Sequence, residues 1–201
     1  GCTTPSIVDW ILTFDRLIDG SLVTACPESD SITAPFLLKA MSQYMLLLVS
    51  DQSRFDMVMR GEAVFTAKEQ RGKALFDKNC ATCHSGALLT NNKFINNGLD
   101  SVFTDIGRSL ISETSEDLGK FKVPSLRNIM LTGPYMHDGR FKTIDEVIDH
   151  YRFGIRPSPS LDTRLMVNGS MKIQLEDADV DDLKDFLHTL TDRKFISNPI
   201  F

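Results

Sequence analysis

The chain has 201 residues, of which 42% are hydrophobic and 24% are charged, and its formal net charge is −5. This length allows one domain or a little more, and the composition is typical of a protein with a buried core. The acidic balance argues against nucleic-acid binding, and no apolar run approaches the roughly 20 residues that a membrane-spanning helix needs, so we expect a soluble globular protein.

Apolar residues recur at helical spacing in the first part of the chain and predict two helices. The first lies between Pro5 and Gly20, and the second covers residues 33–50. A capping box at residues 66–69 then predicts a third helix, which leads directly into Cys80.

Helical periodicity is poor from residue 85 to residue 134, where Gly, Asn and Pro interrupt the chain at short intervals. A long loop region inside a compact domain is usually functional or wraps a bound group. A second capping box at residues 143–146 and an amphipathic stripe at residues 180–190 predict two further helices.

These elements divide the chain in two. We expect residues 1–60 to form N-terminal helices that pack on, or lead into, a helical domain at residues 61–201. The sequence has no internal repeat and no low-complexity tract. The expected fold class is therefore all-α, with long loops.

The chemistry of the chain is expected at Cys80-Ala81-Thr82-Cys83-His84. A Cys-x-x-Cys-His motif is the attachment signature of a c-type haem. Two thiols separated by two residues can each form a thioether with a vinyl group of the porphyrin. The histidine that follows can then ligate the iron.

Two other interpretations of the paired cysteines remain open. A thioredoxin-like redox pair would need a βαβ context, which the sequence does not show. A structural zinc site would need a second cysteine pair, whereas Cys2 and Cys26 stand alone and far upstream. A disulfide scaffold is not expected in a chain of this length. Covalent haem is the favoured interpretation.

Several further segments resemble the bacterial di-haem cytochrome c peroxidase and MauG family. The resembling segments are SRFD (53–56), RGE (60–62), RGKALF (71–76), NNGLD (96–100), FKVPSLRN (121–128), LTGPYMHDGRF (131–141), residues 143–151 and DLKDFLHTLT (182–191). Together they cover roughly residues 33–193 in the family's order. The resemblance implies a cytochrome c-like helical domain whose long loops wrap the haem.

The sequence departs from the family in carrying one Cys-x-x-Cys-His motif where members carry two. The single motif is followed by the segments of the C-terminal, electron-transfer domain. The chain thus resembles half of such a protein, either a fragment or a natural single-haem relative.

The implied function is an electron relay. It would run from a small donor protein, a c-type cytochrome or similar, to a peroxidatic haem in an N-terminal domain that reduces hydrogen peroxide. The residues that handle peroxide belong to that other domain, so this chain alone is not expected to be an active peroxidase. The alternative is a stand-alone single-haem carrier.

The resemblance also implies a second iron ligand. The family places a methionine (peroxidases) or a tyrosine (MauG) in the helix after the PYMHDG segment, and Tyr151 occupies that position here. Met166, Met171, His150 and a site open to water remain alternatives. An anionic oxygen ligand would favour ferric iron and lower the reduction potential.

Other predicted site residues follow from the same resemblance. His137 is expected to have a hydrogen-bonding or gating role near the haem. Arg127 and Arg108 are expected to pair with haem propionates, because a guanidinium suits a carboxylate, and an ordinary surface role is the alternative. Thr132 and Pro134 are expected to supply oxygens to a calcium ion at the domain interface.

Attachment of haem c takes place outside the cytoplasm, so we expect a periplasmic location. Gly1-Cys2 is compatible with the remnant of a lipoprotein cleavage site, which would anchor the chain through a lipid on Cys2. An expression scar at Gly1 is the favoured interpretation, and the lipid anchor is the alternative.

Overall fold

The computed structural model describes residues 34–167 and 169–199, which belong to two compact units. The first unit ends at Ser50, and its described helix is α1 (Ala34–Leu47), which confirms the second predicted helix. The first predicted helix, Cys2 and Cys26 lie outside the described residues.

The second unit begins at Asp51, ten residues ahead of the domain start that the sequence suggested. It contains the remaining described helices, which are α2 (Arg54–Met59), α3 (Ala67–Asn79), α4 (Ser109–Ser112), α5 (Ile144–Asp149), α6 (Asp177–His188) and α7 (Arg193–Ile196). A π-helical turn, His150–Gly154, continues α5, and short 3-10 turns lie at Ser115–Asp117, Ile129–Leu131 and Thr163–Leu165. None of the helices in the described ranges is long and apolar enough to cross a membrane.

Two short antiparallel strand pairs accompany the helices, and the sequence did not predict them. Strand β1 (Phe94–Ile95) pairs with β2 (Phe121–Lys122), with Ile95 opposite Phe121. Strand β3 (Met166–Val167) pairs with β4 (Ser170–Met171), with Met166 opposite Met171. The fold is therefore mainly helical, with a few strand residues inside the long loops.

The predicted capping boxes start the helices where the sequence placed them. Thr66 Oγ1 accepts a hydrogen bond from the Glu69 backbone, and the Glu69 carboxylate accepts one from the Thr66 backbone. Thr143 and Glu146 form the same pair of bonds at the start of α5. Because each box satisfies backbone donors that a helix leaves open, it fixes the first residue of the helix.

The core lies where α3 packs against α6. Phe186 of α6 is fully buried, and its ring centroid lies 5.0 Å from that of Phe76 and 6.0 Å from that of Phe55. Leu190 is also fully buried. The aromatic cluster anchors the end of α3, from which the Cys-x-x-Cys-His motif continues.

Gly72 allows the close approach of these two helices. A Cβ at this position would lie 1.9 Å from the Asp182 carbonyl oxygen and 2.8 Å from Phe186 Cβ. Both neighbours are fixed by α6, so only a residue without a side chain fits there.

We therefore expect Gly72→Ala to destabilise the fold by about 1–3 kcal/mol, as overpacking does, although alanine gains about 1 kcal/mol of helix propensity. Urea unfolding followed by circular dichroism measures the change. Ala74→Ser on the exposed side of the same helix is the control and should stay within about 0.5 kcal/mol of the parent chain. An equal or higher midpoint for Gly72→Ala would contradict the close crossing.

Candidate functional site

The two cysteines lie in one turn at the end of α3. The Cys80 backbone N–H donates to the Phe76 carbonyl at 2.7 Å, and the His84 N–H donates to the Cys80 carbonyl at 2.9 Å. The motif thus adds one further turn to the helix, and both thiols are free. The helix end presents two thiols and an imidazole within five residues.

The environment of the thiols does not favour thiolate chemistry. Burial raises the pKa of Cys80 to about 12, with Cys83 and Asp77 adding to the rise. Burial also raises the pKa of Cys83, against the opposing charge of Arg164. Both groups are therefore neutral thiols near pH 7, whereas a redox pair needs a thiol that ionises near that pH.

The zinc interpretation finds no second set of ligands. In the parts of the chain that the structure describes, no three His, Cys, Asp or Glu side chains gather in a group that could hold a metal ion. A structural zinc site needs four such donors. The described residues therefore support neither alternative to haem.

The His84 ring is held by two backbone carbonyl groups. Its Nδ1 lies 3.2 Å from the Leu89 carbonyl oxygen and 3.1 Å from the Pro124 carbonyl oxygen. These acceptors fix the tautomer with a proton on Nδ1, which leaves the Nε2 lone pair free to bind a metal. Burial lowers the pKa of His84, so the ring is held neutral.

Tyr151 lies in the π-helical turn that follows α5, and π-turns inside helices are frequent at functional sites. Its backbone carbonyl accepts a hydrogen bond from the Ile173 N–H at 2.9 Å. Burial raises the pKa of Tyr151 against the hydrogen bond from Asn97, which lowers it, and Cys80 and Cys83 add to the rise. Tyr151 and Cys80 both pack against the buried core. The position predicted for the second ligand is thus compatible with the site.

The other predicted ligands are placed less favourably. His150 is buried, and its Nε2 donates to the Asn97 carbonyl oxygen at 3.2 Å, so that nitrogen is already engaged. Met166 and Met171 are paired in the β3–β4 strands, with Met166 47% exposed.

A further methionine was missed by the sequence analysis. The Asn97 amide nitrogen lies 3.5 Å from Met136 Sδ and 3.4 Å from Tyr151 Oη. Met136 belongs to the LTGPYMHDGRF segment, where its residue type alone gives no signal of a site. The contact shows that Met136, and not Met166 or Met171, shares a hydrogen-bond partner with Tyr151.

Arg127 is committed to other protein groups. Its guanidinium forms two bonds to the Asp56 carboxylate, at 2.8 and 2.9 Å, and its Nε donates to the Ala87 carbonyl at 2.9 Å. Burial would raise the pKa of Asp56, but the bonds from Arg127 and Ser53 outweigh it and lower that pKa. These bonds favour a structural ion pair between Arg127 and Asp56 over the predicted contact with a haem propionate.

Arg108 lies at the surface. Its Nε donates to the Asp117 carboxylate at 2.9 Å, and its guanidinium stacks 4.2 Å from the centroid of the Phe94 ring. Both contacts are local to the loop region. The surface alternative therefore describes this residue better than a propionate contact does.

His137 is exposed at the edge of an open cleft of about 430 Å³. Its ring stacks on Phe121, with centroids 3.8 Å apart and planes 12° from parallel. Asn97 and Arg140 also line the cleft. His137 therefore reaches the cleft that borders the Tyr151 neighbourhood, and its gating role stays a prediction.

The calcium prediction also stays a prediction. Thr132 and Pro134 are exposed, and the Thr132 hydroxyl bonds the Ile129 carbonyl oxygen at 3.4 Å. No acidic cluster accompanies them within the described residues.

Comparison with known proteins agrees with the chemistry of the motif. The family model of cytochrome c matches residues 69–191. Cytochrome c peroxidase Ccp of Escherichia coli K12 is 34% identical over 160 residues, which cover 75% of this chain and 31% of that protein. MauG of Methylophilus methylotrophus is 32% identical over 174 residues, which cover 84% and 50% respectively.

A solved structure is similar as well. The crystal structure of a MauG-like protein associated with microbial copper homeostasis has a TM-score of 0.72 and 35% sequence identity. The match covers 87% of this chain and 62% of that one. The chain therefore spans only part of the length of each of these relatives.

Proposed function

This chain belongs to the cytochrome c family, and on that premise we propose that it is the haem c electron-transfer domain of a di-haem cytochrome c peroxidase-like protein. In this proposal the domain relays electrons from a small donor protein to a peroxidatic haem in a separate N-terminal domain. That second domain would reduce hydrogen peroxide. The observation that carries the proposal is the free Cys80–Cys83 pair followed by a neutral His84 with Nε2 available.

The residues fit a covalent haem. Cys80 and Cys83, whose thiols are free, would hold the porphyrin as thioethers, each formed by addition of the S–H group across one vinyl double bond. His84 would ligate the iron, with its ring fixed by the Leu89 and Pro124 carbonyl groups. When bound, haem c supplies an iron that exchanges one electron between its ferric and ferrous states.

Tyr151 is proposed as the second iron ligand. Its support is that Tyr151 and Cys80 pack against the same buried core, and that His150 Nε2 already bonds the Asn97 carbonyl oxygen. A phenolate oxygen would stabilise the ferric state and give a low potential. The domain would then resemble the MauG side of the family in its ligand set.

An absorption spectrum tests the haem assignment. The full chain is expressed in the bacterial periplasm together with the haem-attachment machinery and is then denatured and extracted with acidified solvent. We expect a Soret band that stays with the polypeptide after extraction. A chain that folds and shows no Soret band would overturn the proposal.

The haem-loaded chain is expected not to turn over hydrogen peroxide with a reduced cytochrome donor. The reason is that it carries one Cys-x-x-Cys-His motif and spans only part of its relatives. Steady-state oxidation of the donor, followed by absorbance, measures this. Turnover at an enzyme-like rate by this chain alone would contradict the relay role, and free haem at equal concentration is the control.

The proposed location is the periplasm, because haem c is attached outside the cytoplasm. A lipid on Cys2 would then tether the chain to a membrane surface. Autoradiography of the chain after electrophoresis, from cells fed radiolabelled palmitate, would detect such a lipid.

The electron donor is expected to be a c-type cytochrome or a protein of similar size and potential.

A further inference from the structure

The Asn97 side chain contacts two side chains of the candidate site at once. Its Nδ2 lies 3.4 Å from Tyr151 Oη and 3.5 Å from Met136 Sδ. A thioether sulfur has no proton to donate, so the amide NH2 group, and not the amide oxygen, faces this pair. The same NH2 group therefore lies within hydrogen-bond reach of both the phenol oxygen and the sulfur.

The turn that carries Asn97 is held firmly by its neighbour. Asn96 is 1% exposed, and its Oδ1 accepts a hydrogen bond from the Gly98 N–H at 2.8 Å. Its Nδ2 donates to the hydroxyl groups of Ser158 and Ser160, each at 2.9 Å. A buried amide with three partners fixes the local backbone, so Asn97 starts from a defined position.

Two further features restrict the same turn. Gly98 has a φ of +72°, and a Cβ there would lie 2.6 Å from Ile155 Cγ2, so no other residue fits. The Asn97 backbone carbonyl accepts a hydrogen bond from His150 Nε2, and the His150 ring lies edge-on to Tyr151 with centroids 5.1 Å apart. Asn97 is therefore connected to the Tyr151 turn through both its side chain and its backbone.

Met136 reaches this contact from a strained backbone. Its φ of +70° lies in the left-handed region, which residues with a side chain rarely adopt. Strained residues persist where the surroundings hold them, and they cluster at functional sites. Met136 thus contacts the Asn97 amide from a backbone conformation that its surroundings must hold.

We propose that Asn97 is a positioning residue that tunes the second iron ligand, with Met136 competing for the same amide. This inference rests on the proposed function, in which Tyr151 ligates the iron of a haem c. A hydrogen bond to a phenolate oxygen withdraws electron density from it, so the oxygen stabilises ferric iron less. The contact of 3.4 Å is longer than the usual 2.9–3.0 Å, and it can shorten when the oxygen carries a charge.

The reduction potential of the haem-loaded full chain tests the inference. Asn97→Leu is expected to favour the ferric state about tenfold, because a hydrogen bond to a charged group is lost, and tenfold corresponds to 59 mV for a one-electron couple. Leucine is preferred to alanine because Asn97 lines the open cleft, and a smaller residue would admit water to Tyr151. The vibrational frequency of the iron–phenolate bond should shift in the same variant.

Met136→Leu is the matched variant, and it is expected to shift the reduction potential in the opposite direction. It removes the second acceptor, so the amide serves the Tyr151 oxygen alone and the potential should rise. Both changes should vanish in a Tyr151→Phe background, where no phenolate is present. An effect of Asn97→Leu that persists undiminished in that background would mean a general structural effect and would overturn the inference.

The outcomes separate this inference from the proposed function. A chain without covalent haem, or one whose spectrum is unchanged by Tyr151→Phe, would overturn the haem or ligand proposal itself. A chain whose spectrum does depend on Tyr151, but whose potential is unmoved by Asn97→Leu, would overturn only the role of Asn97. If the Asn97→Leu chain fails to attach haem, the Met136→Leu variant tests the inference instead. An unchanged reduction potential in that variant would contradict the competition of Met136 and Tyr151 for the Asn97 amide.

Discussion

Replacing Cys80 or Cys83 with alanine is expected to reduce the fraction of haem that stays with the polypeptide after extraction, and replacing both should abolish retention. Each thiol would supply one thioether, so a single variant keeps one bond and the double variant keeps none. Haem staining after denaturing electrophoresis measures retention directly. Thr82→Ala is the matched control, because Thr82 lies exposed between the two cysteines and should leave attachment unchanged.

His84→Ala should have a different effect from the cysteine variants. The thioethers can still form, but the iron loses the imidazole whose Nδ1 is fixed by the Leu89 and Pro124 carbonyl groups. We expect a change from low-spin to high-spin iron, seen in the absorption and electron paramagnetic resonance spectra. A variant that keeps its haem fully low-spin would show that His84 is not the ligand.

The helices α1, α3, α5 and α6 could be predicted from the sequence because their signals are local, whereas the short helices α2, α4 and α7 were not predicted. Each capping box spans four residues, and the starts of α3 and α5 follow from Thr66 and Thr143 alone. The β1–β2 and β3–β4 pairs could not be predicted, because a two-residue strand has no periodicity to detect. Their pairing depends on how the loops fold back.

The candidate site likewise has one part that the sequence predicts and another that it does not. Cys80, Cys83 and His84 are adjacent in sequence, so their chemistry is readable from the motif. Leu89 is five residues from His84, but the other partners are remote: Pro124 is 40 residues from His84, and Asn97 is 54 residues from Tyr151. No spacing rule connects such residues.

Arg127 shows that a residue type leaves its bonding partner open. A guanidinium suits a propionate, but it suits a protein carboxylate equally well. The Asp56 carboxylate, 71 residues earlier in the chain, accepts two hydrogen bonds from the Arg127 guanidinium. The Ala87 carbonyl accepts another from Arg127 Nε. The residue type predicted the kind of partner, and only the fold selected which partner it is.

Tyr151→Phe is expected to raise the reduction potential of the haem-loaded chain on the order of 100 mV, within the range of about 0.8 V that axial ligands set. The phenolate would be an anionic ligand that stabilises ferric iron, and phenylalanine removes it while filling nearly the same space. Spectroelectrochemical titration measures the potential, and the phenolate charge-transfer band should disappear.

Two further variants make the Tyr151 result specific. Tyr135→Phe is the matched control, because the Tyr135 hydroxyl donates to the Ile129 carbonyl at 2.8 Å, so its loss should leave the potential unchanged. In a chain with both Tyr151→Phe and Met136→Leu, the thioether that contacts the Asn97 amide is also absent. The Met136 sulfur then cannot replace the phenolate as the iron ligand. An open iron site with bound water is then expected. If the parent chain already shows a histidine–methionine spectrum that Tyr151→Phe does not alter, the second ligand is a methionine, and the domain joins the methionine-ligated members of the family.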